Sequence, residues 1–210
     1  MNRTIPVCLL TLLATAVIPV ATSAGDFRLG IEGGANNANL SVTNPEPWGK
    51  YSSRVRPTVG AVIELGIGPN ASIALEPCYV GKGSKWGESE FTLRYSLDYI
   101  EVPLYMKYRL TTGSVRPYLA AGPSLAFVQR AKIDGIDDVT DIKDQVKSPD
   151  ASVAFGGGVE LVSGKTAFFV DGRYAVGLTN LAKGDVDPES EGRHRGLQVR
   201  AGVTFRLGGR

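Results

Sequence analysis

The stretch from His194 to Leu207 reads HRGLQVRAGVTFRL and places an apolar residue at every second position. Leucine, valine, alanine and phenylalanine fill positions 197, 199, 201, 203, 205 and 207, and glutamine, arginine and threonine fill most of the positions between them. Successive side chains of a β-strand point to opposite faces of the sheet. The pattern therefore predicts a strand with one apolar and one polar face.

The same alternation recurs along the chain after residue 26, with no helical period of any length. Seven further segments show it, at roughly 27–32, 55–67, 71–82, 96–110, 115–129, 151–162 and 166–178. With the last segment they make about eight strands, so we predict an all-β fold.

The connections between these segments alternate in length. Three are tight turns of typical turn residues, namely Gly68–Asn70, Thr111–Ser114 and Ser163–Lys165. The others are long polar segments, about 43–54, 83–95, 131–150 and 179–193. In a meander of strands this pattern places the turns at one end and the loops at the other, as in outer-membrane barrels. We therefore predict a closed antiparallel up-and-down transmembrane β-barrel of about eight strands.

The N-terminal residues predict a secretory signal peptide over residues 1–24, followed by a barrel domain over 25–210. Arg3 supplies the positive charge, Val7–Val20 is apolar, and Thr22–Ala24 offers small residues for cleavage. Cys8 stands too early in this segment for a lipoprotein signal. The pattern predicts export to the outer membrane of a Gram-negative bacterium.

Removal of the predicted signal leaves Cys78 as the single cysteine, so no intramolecular disulfide can form. The formal charge falls to +1, because Arg3 leaves 22 of the 23 Lys and Arg against 21 Asp and Glu. A chain this close to neutral gives no basis for nucleic-acid binding, which needs a basic patch.

The polar face of the strands decides between a membrane barrel and a soluble lipocalin-like barrel, since both show the same alternation. This face combines glycine and alanine with charges of both signs. A narrow interior favours small side chains and charges that pair with one another. We therefore predict that the apolar face meets lipid and the charged face lines the lumen. The predicted lumen charge network consists of Glu32, Arg56, Glu64, Glu76, Glu101, Lys107, Arg109, Arg116, Glu160, Asp171, Arg173 and Arg200.

Four segments resemble, in the same order, recurrent pieces of the porin-family outer-membrane β-barrel domain. They are LGIEGGANNANL at 29–40, YIEVPLYMKY at 99–108, RPYLAAGP at 116–123 and DGRYAVGLTN at 171–180. The resemblance spans nearly the whole predicted barrel domain and implies a small eight-stranded barrel of the OmpA-like or PorT-like kind. It implies location and fold, and the label "porin" does not establish transport. The final residues depart from the pattern, because barrels commonly end on an aromatic residue and here Phe205 is the nearest substitute.

Aromatic and proline residues refine this prediction. Two aromatic girdles are expected at the membrane boundaries. They comprise Tyr79, Tyr99, Phe127 and Tyr174 near the loops and Phe27, Tyr108, Phe168 and Phe205 near the turns. Pro57, Pro77, Pro103, Pro117 and Pro123 fall within predicted strands, where each removes a backbone donor, so we expect bulges or strand ends there.

Catalytic and metal sites find little support. His194 is the single histidine, and a nucleophile such as Ser152 or Ser190 would have to meet it in space. Acidic residues cluster in two loops, at 134–144 and 185–191, but their spacing does not match an EF-hand, and a solvated charged loop explains them at least as well. Gly156–Gly158 lacks the lysine of a phosphate loop. We predict no enzyme activity and no cofactor.

Several functions remain open from the sequence. The first is a filled barrel that anchors exposed loops for a structural or binding role, with an unknown loop-binding partner. The second is a narrow channel for small solutes. A lipid-active enzyme, whose activity His194→Ala should abolish, and a soluble periplasmic lipocalin-like carrier are further alternatives. For the first two, the expected partners are outer-membrane lipid and the barrel-insertion machinery.

Overall fold

The structure is a computed structural model that describes residues 26–42, 51–88, 91–134, 139–141, 148–179 and 192–207. Ten strands are assigned in these residues. They are β1 (Phe27–Val42), β2 (Tyr51–Gly66), β3 (Ala71–Leu75), β4 (Cys78–Glu88), β5 (Phe91–Arg109), β6 (Val115–Asp134), β7 (Val139–Asp141), β8 (Asp150–Ser163), β9 (Thr166–Gly177) and β10 (Gly192–Arg206). Among the residues described, no helix has the length and apolar character needed to cross a membrane.

The strands form a closed ring. β1 pairs with β2 on one side and with β10 on the other, so the first and last strands of the meander join. β3 and β4 together fill one place between β2 and β5. The remaining neighbours follow chain order, except that β8 is next to β6 and the short β7 lies against the loop end of β6. With β3 and β4 counted as one strand, and with the three-residue β7 outside the ring, the predicted closed antiparallel barrel of eight strands is confirmed.

The predicted tight turns all lie at one end of this ring. In the turn between β8 and β9, Gly164 has a φ of 59°, which a residue with a Cβ rarely adopts. In the turn before β3, the Asn70 side chain donates to the Arg109 carbonyl at 2.8 Å and ties the turn to β5. We call this the turn end of the barrel and the opposite end the loop end.

Side chains on the outer surface are apolar along most of each strand. Ile31, Val59, Leu119, Phe155 and Val199 are each more than half exposed. Charged side chains occupy the interior instead, including Arg173 and Glu76 at 0 % exposure. A soluble lipocalin-like carrier would have the reverse arrangement, with its polar face in water. That alternative is therefore wrong for this chain.

The strands extend further toward the loop end than the sequence pattern predicts. The segment 83–95, predicted as a loop, forms the ends of β4 and β5, which pair as far as Glu88↔Phe91. β2 likewise begins at Tyr51, and β6 continues to Asp134. Polar residues pair through their backbones as readily as apolar ones, so loss of alternation did not mark the end of these strands.

Two irregularities in the ladder interrupt the alternation of faces. The pairing of β2 with β4 shifts by one residue between Ser53 and Thr58, next to Pro57. The pairing of β5 with β6 shifts between Asp98 and Tyr99, because β6 carries one extra residue at Gln129. Such bulges change the direction of side chains beyond them.

Pro77 marks a break in a strand, and Tyr99 follows the inward register of its strand. Pro77 occupies the break between β3 and β4, and its carbonyl accepts from the Ala61 amide at 3.0 Å. Tyr99 was expected in the loop-side girdle, but it is fully buried. That prediction is wrong because Tyr99 shares the odd-numbered, inward register of Glu101 and Lys107 on β5.

Candidate functional site

Ionisable side chains fill the lumen in three layers stacked along the barrel axis. The turn-end layer comprises Glu64, Ser72, Lys107, Arg109 and Glu160. The central layer comprises Glu32, Glu76, Asp171, Arg173 and Arg200, with the rings of Tyr105 and Tyr118. The loop-end layer comprises Lys82, Tyr99, Glu101, Ser124 and Asp150. Every one of these side chains is buried.

Arg109 organises the turn-end layer. Its guanidinium group binds Glu160 in a two-point arrangement, with Nε to Oε2 at 2.8 Å and Nη2 to Oε1 at 2.9 Å. It also binds Glu64 and donates to the Ser72 hydroxyl at 3.0 Å. Lys107 approaches the other oxygen of Glu64 at 3.3 Å. Paired carboxylate and guanidinium groups of this geometry make charged hydrogen bonds roughly twice as strong as neutral ones.

Glu76 is the hub of the central layer. Its Oε2 accepts from Arg173 Nη1 at 2.6 Å and lies 3.1 Å from Arg200 Nη1. Its Oε1 lies 3.6 Å from Lys107 Nζ, which links the central and turn-end layers. Arg200 also donates to Glu32 at 2.8 Å. Glu76, which lies at the break between β3 and β4, therefore connects cations of β5, β9 and β10.

Asp171 and two tyrosine rings complete the central layer. Asp171 Oδ2 accepts from Arg173 Nη2 and from the Tyr118 hydroxyl, both at 2.7 Å. The Arg173 guanidinium lies 4.1 Å from the centre of the Tyr105 ring, and Arg200 lies at 5.7 Å. Attraction between a cation and an aromatic face is stronger when both are desolvated. The tyrosines therefore both fill space and stabilise charge.

Lys82 is the cation of the loop-end layer. Its ammonium group lies 3.3 Å from Glu101 and 3.9 Å from Asp150, above the ring of Tyr99 at 4.8 Å. Ser124 donates to Glu101 at 2.8 Å. Above this layer, a cleft at the loop end is lined in part by Lys82, together with Asn36, Ser152 and Gln198.

Ten of the twelve side chains predicted to line the lumen are buried in it, and two are not. Arg116 is half-buried at the turn end, where its Nε donates to the Gly113 carbonyl at 2.7 Å. Arg56 pairs with Asp98 at 2.5 Å, away from the acids of the three layers. The bulge beside Pro57 explains this departure, since it lies in the segment where β2 loses its register with β4.

Sequence reasoning missed several lumen residues whose signal was present. Lys82 shares the even-numbered, inward register of Cys78 and Val80. Tyr105 lies in register between Glu101 and Lys107, but the predicted lumen network contained charged residues only. Asp150 precedes the apolar part of β8 and was assigned to a loop.

Of the candidate catalytic and metal-binding side chains, the described part of the structure includes that of Ser152. Ser152 is buried on β8 and lines the loop-end cleft. Ser190, the His194 side chain and the acidic side chains of 134–144 and 185–191 lie outside the described residues. In the part of the chain that the structure describes, no group of three or more His, Cys, Asp or Glu side chains could hold a metal ion. Cys78 is a buried free cysteine, consistent with a small packing residue.

The hydrogen bond from Tyr118 to Asp171 gives a first testable prediction. Replacement of Tyr118 by Phe is expected to lower the free energy of unfolding by about 2 kcal/mol, since a buried hydrogen bond to a charged group is lost. Urea-induced unfolding in detergent micelles measures this change. Tyr108→Phe is the matched control, because Tyr108 is 54 % exposed on the outer surface. Equal effects of the two substitutions would contradict the assigned role of Tyr118.

An apolar outer surface around a closed ring of strands, with a charged and filled lumen, defines the class of integral outer-membrane β-barrel proteins. The family model described as "Outer membrane protein beta-barrel domain" matches residues 20–183. The chain therefore belongs to this family. The match ends before β10, although β10 closes the barrel by pairing with β1 along its whole length.

Solved structures with the same fold include three bacterial outer-membrane proteins. Neisserial surface protein A superposes with a TM-score of 0.54 at 15% identity, over 88% of this chain and 100% of that chain. OprG from Pseudomonas aeruginosa gives 0.51 at 9% identity, over 88% and 97%. Outer membrane protein W of E. coli gives 0.50 at 14% identity, over 89% and 100%. At such identities the likeness shows the fold alone. A comparison with curated protein sequences finds no match.

Proposed function

We propose that the protein is a non-conducting scaffold of the outer membrane, whose filled barrel holds its loops for a structural or binding role. The observation that carries this proposal is the central layer. Arg173, Glu76 and Arg200 lie across the lumen with 0 to 2 % exposure and are joined by ion pairs. An interior of eight strands has just enough width for side chains to fill it. Hydrated ions have no open path through such a layer.

The arrangement of the layers also supports a role as a rigid support. The ion pairs join strands on different sides of the lumen, since Arg173 of β9 and Arg200 of β10 both reach Glu76 at the break between β3 and β4. These cross-lumen bonds supplement the backbone ladder and restrain the barrel against deformation. Loops on a rigid scaffold are a common place for binding residues. A binding partner for these loops is therefore part of the proposal, and its chemistry is not assigned.

Conductance in planar lipid bilayers tests the proposal. The folded wild-type protein is expected to give no steady single-channel steps. Arg173→Ala combined with Glu76→Ala removes the shortest ion pair of the central layer together with its hub carboxylate, and is expected to produce such steps. Tyr108→Phe, on the outer surface, provides a control for refolding and insertion. Steady wild-type steps, with an ion selectivity that changes on Glu76→Gln, would contradict the scaffold and favour a channel.

A narrow channel is the second candidate, and one observation favours it. Several buried polar atoms in the described part of the lumen have no hydrogen-bond partner from the protein, including Arg200 Nη2, Glu32 Oε2 and both carboxylate oxygens of Asp150. Such atoms are usually satisfied by water. Asp150 lies near the loop-end cleft and Glu32 in the central layer, so water bound at these atoms would mark a route into the lumen.

The N-terminal pattern supports the cellular side of the proposal. Residues 1–24 have the charge and apolar run of a secretory signal, and a family of outer-membrane barrels requires export across the inner membrane. We therefore propose that the mature barrel lies in the outer membrane of a Gram-negative bacterium. Mass spectrometry of the protein purified from the outer-membrane fraction tests this placement, with an N-terminus near Gly25 as the expected result. An intact N-terminus in that fraction would contradict it.

A further inference from the structure

An aromatic row marks the edge of the apolar band on the outer surface. Tyr79 of β4 pairs with Ile100 of β5, which pairs with Phe127 of β6, so the three outward side chains lie side by side on neighbouring strands. Tyr79 is 41 % exposed and Phe127 is 39 % exposed. Tyrosine and phenylalanine collect at the boundary between hydrocarbon and headgroups in outer-membrane barrels. This row lies on the loop-end side of the barrel.

The length of β6 supports this position for the boundary. Its outward side chains from Val115 to Phe127 are apolar or proline, and this stretch spans 12 residues (127 − 115). At about 3.3 Å per residue and a tilt of about 40°, the stretch covers roughly 30 Å along the membrane normal. That height is similar to the apolar band of about 25 Å that outer-membrane barrels present to lipid. Residues beyond Phe127 therefore reach the headgroup region.

Two basic residues follow the aromatic row on the outer surface. Arg130 and Lys132 of β6 are both exposed, and they pair across the sheet with Asp98 and Ser96 of β5. The extra residue at Gln129 causes this orientation. Without the bulge, the inward register of Ala126 and Val128 would continue and turn both basic side chains into the lumen.

Among the side chains that the structure describes here, the charges leave this cluster positive. Arg56 donates to Asp98 at 2.5 Å, and Tyr79 lies next to the same carboxylate. Asp98 is therefore neutralised by Arg56. Arg130 and Lys132 form no ion pair with any of the described side chains. In the backbone register, Lys132 also pairs with Asp141 of β7.

We propose that this exterior cluster, formed by Arg56, Tyr79, Asp98, Arg130 and Lys132, binds the phosphate group of a phosphorylated lipid in the outer leaflet. An arginine and a lysine at headgroup height offer charged hydrogen bonds to phosphate oxygens. The wall below them supplies exposed Phe127 and Leu125 for acyl chains. Apolar contact directly beneath the charges favours a lipid over free phosphate, which would gain nothing from that wall.

Binding of lipid A to the folded protein in detergent micelles tests the site. Retention of lipid A is measured by native mass spectrometry at increasing lipid concentration, with dephosphorylated lipid A as the comparison lipid. Each basic residue near an anionic lipid is worth about a fivefold change in affinity. Arg130→Gln is therefore expected to weaken binding about fivefold, and Arg130→Gln with Lys132→Gln about thirtyfold. Added salt should weaken wild-type binding as well.

Arg195→Gln is the matched control, since Arg195 is an exposed arginine near the loop end of β10 on a different part of the wall. It is expected to bind lipid A as the wild type does. Equal binding by the double variant and the wild type would overturn the proposal. Equal binding of phosphorylated and dephosphorylated lipid A would overturn it too, because the apolar wall alone would then explain the interaction. Neither outcome bears on conductance, which tests the scaffold separately.

Discussion

Replacing Arg173 by Met is expected to lower the free energy of unfolding by about 3 to 5 kcal/mol. Arg173 is fully buried and binds Glu76 and Asp171 through its two terminal nitrogens. Its removal leaves two carboxylates with fewer counter-charges in a site that water reaches poorly. Breaking one side of a buried ion pair is costly for this reason. Urea titration of the refolded protein, followed by the change in its gel mobility without heating, measures the loss.

The charge balance of the central and turn-end layers predicts which second substitution compensates for Arg173→Met. In the central and turn-end layers the described carboxylates are Glu32, Glu64, Glu76, Glu160 and Asp171, and the cations are Lys107, Arg109, Arg173 and Arg200. Loss of Arg173 increases an existing negative excess, whereas loss of Glu76 reduces it. Addition of Glu76→Gln to Arg173→Met is therefore expected to restore more than half of the lost stability.

Arg116→Met serves as the control for Arg173→Met. Arg116 is half-buried at the turn end and contacts the Gly113 carbonyl, with no ion pair to a described carboxylate. Its substitution is expected to change stability by less than about 1 kcal/mol. If Arg116→Met and Arg173→Met were equally destabilising, the layered ion pairs would not be what stabilises the lumen.

The sequence predicts the barrel well because one physical rule governs most of it. Successive side chains of a strand alternate between the lipid-facing and the lumen-facing surface. The tight turns reverse the chain and so set the direction of each strand. Glu64, Lys107 and Arg200 could therefore be assigned to the lumen from parity alone. Their partners could not be assigned, since pairing across the lumen depends on strand tilt and stagger, which no local pattern encodes.

Departures from the rule arise where the ladder is irregular. The bulge at Gln129 turns Arg130 and Lys132 outward, and the shift beside Pro57 moves Arg56 to Asp98. A single extra residue reverses every later side chain of a strand, and its position depends on the neighbouring strand. The exterior cluster was therefore invisible in the sequence. The proline at 57 was a signal of irregularity, but it did not give the direction of the change.

The two surfaces of the barrel serve different interactions, and both depend on how tightly the sheet curves. Inside, the walls come close enough for Arg173 of β9 and Arg200 of β10 to reach Glu76 at the break between β3 and β4. Outside, the same curvature spreads side chains apart and exposes them to lipid. In so curved a sheet, neighbouring strands approach each other closely on the inner face. Glycine is therefore needed where an inward Cβ would meet the backbone of the next strand.

Gly156→Ala is expected to destabilise the barrel by about 3 kcal/mol, at the upper end of the usual cost of overfilling a packed interior. Gly156 of β8 pairs with Arg173 of β9, and a Cβ at position 156 would meet the Gly172 carbonyl oxygen and lie 2.7 Å from Arg173 Cα. Backbone atoms held in the ladder cannot move aside as the end of a flexible side chain can. Relief of the clash would shift Arg173 away from Glu76 and so weaken the central layer as well.

Gly172→Ala is the matched control, because Gly172 contributes the clashing carbonyl but a Cβ on Gly172 itself meets nothing within 4 Å. The two substitutions add the same methyl group on neighbouring strands, one toward crowded backbone and one toward open space. Gly172→Ala is expected to stay within about 0.5 kcal/mol of the wild type. Equal urea midpoints for the two variants would show that β8 and β9 can separate at no cost, and would contradict a lumen packed by close strand contact.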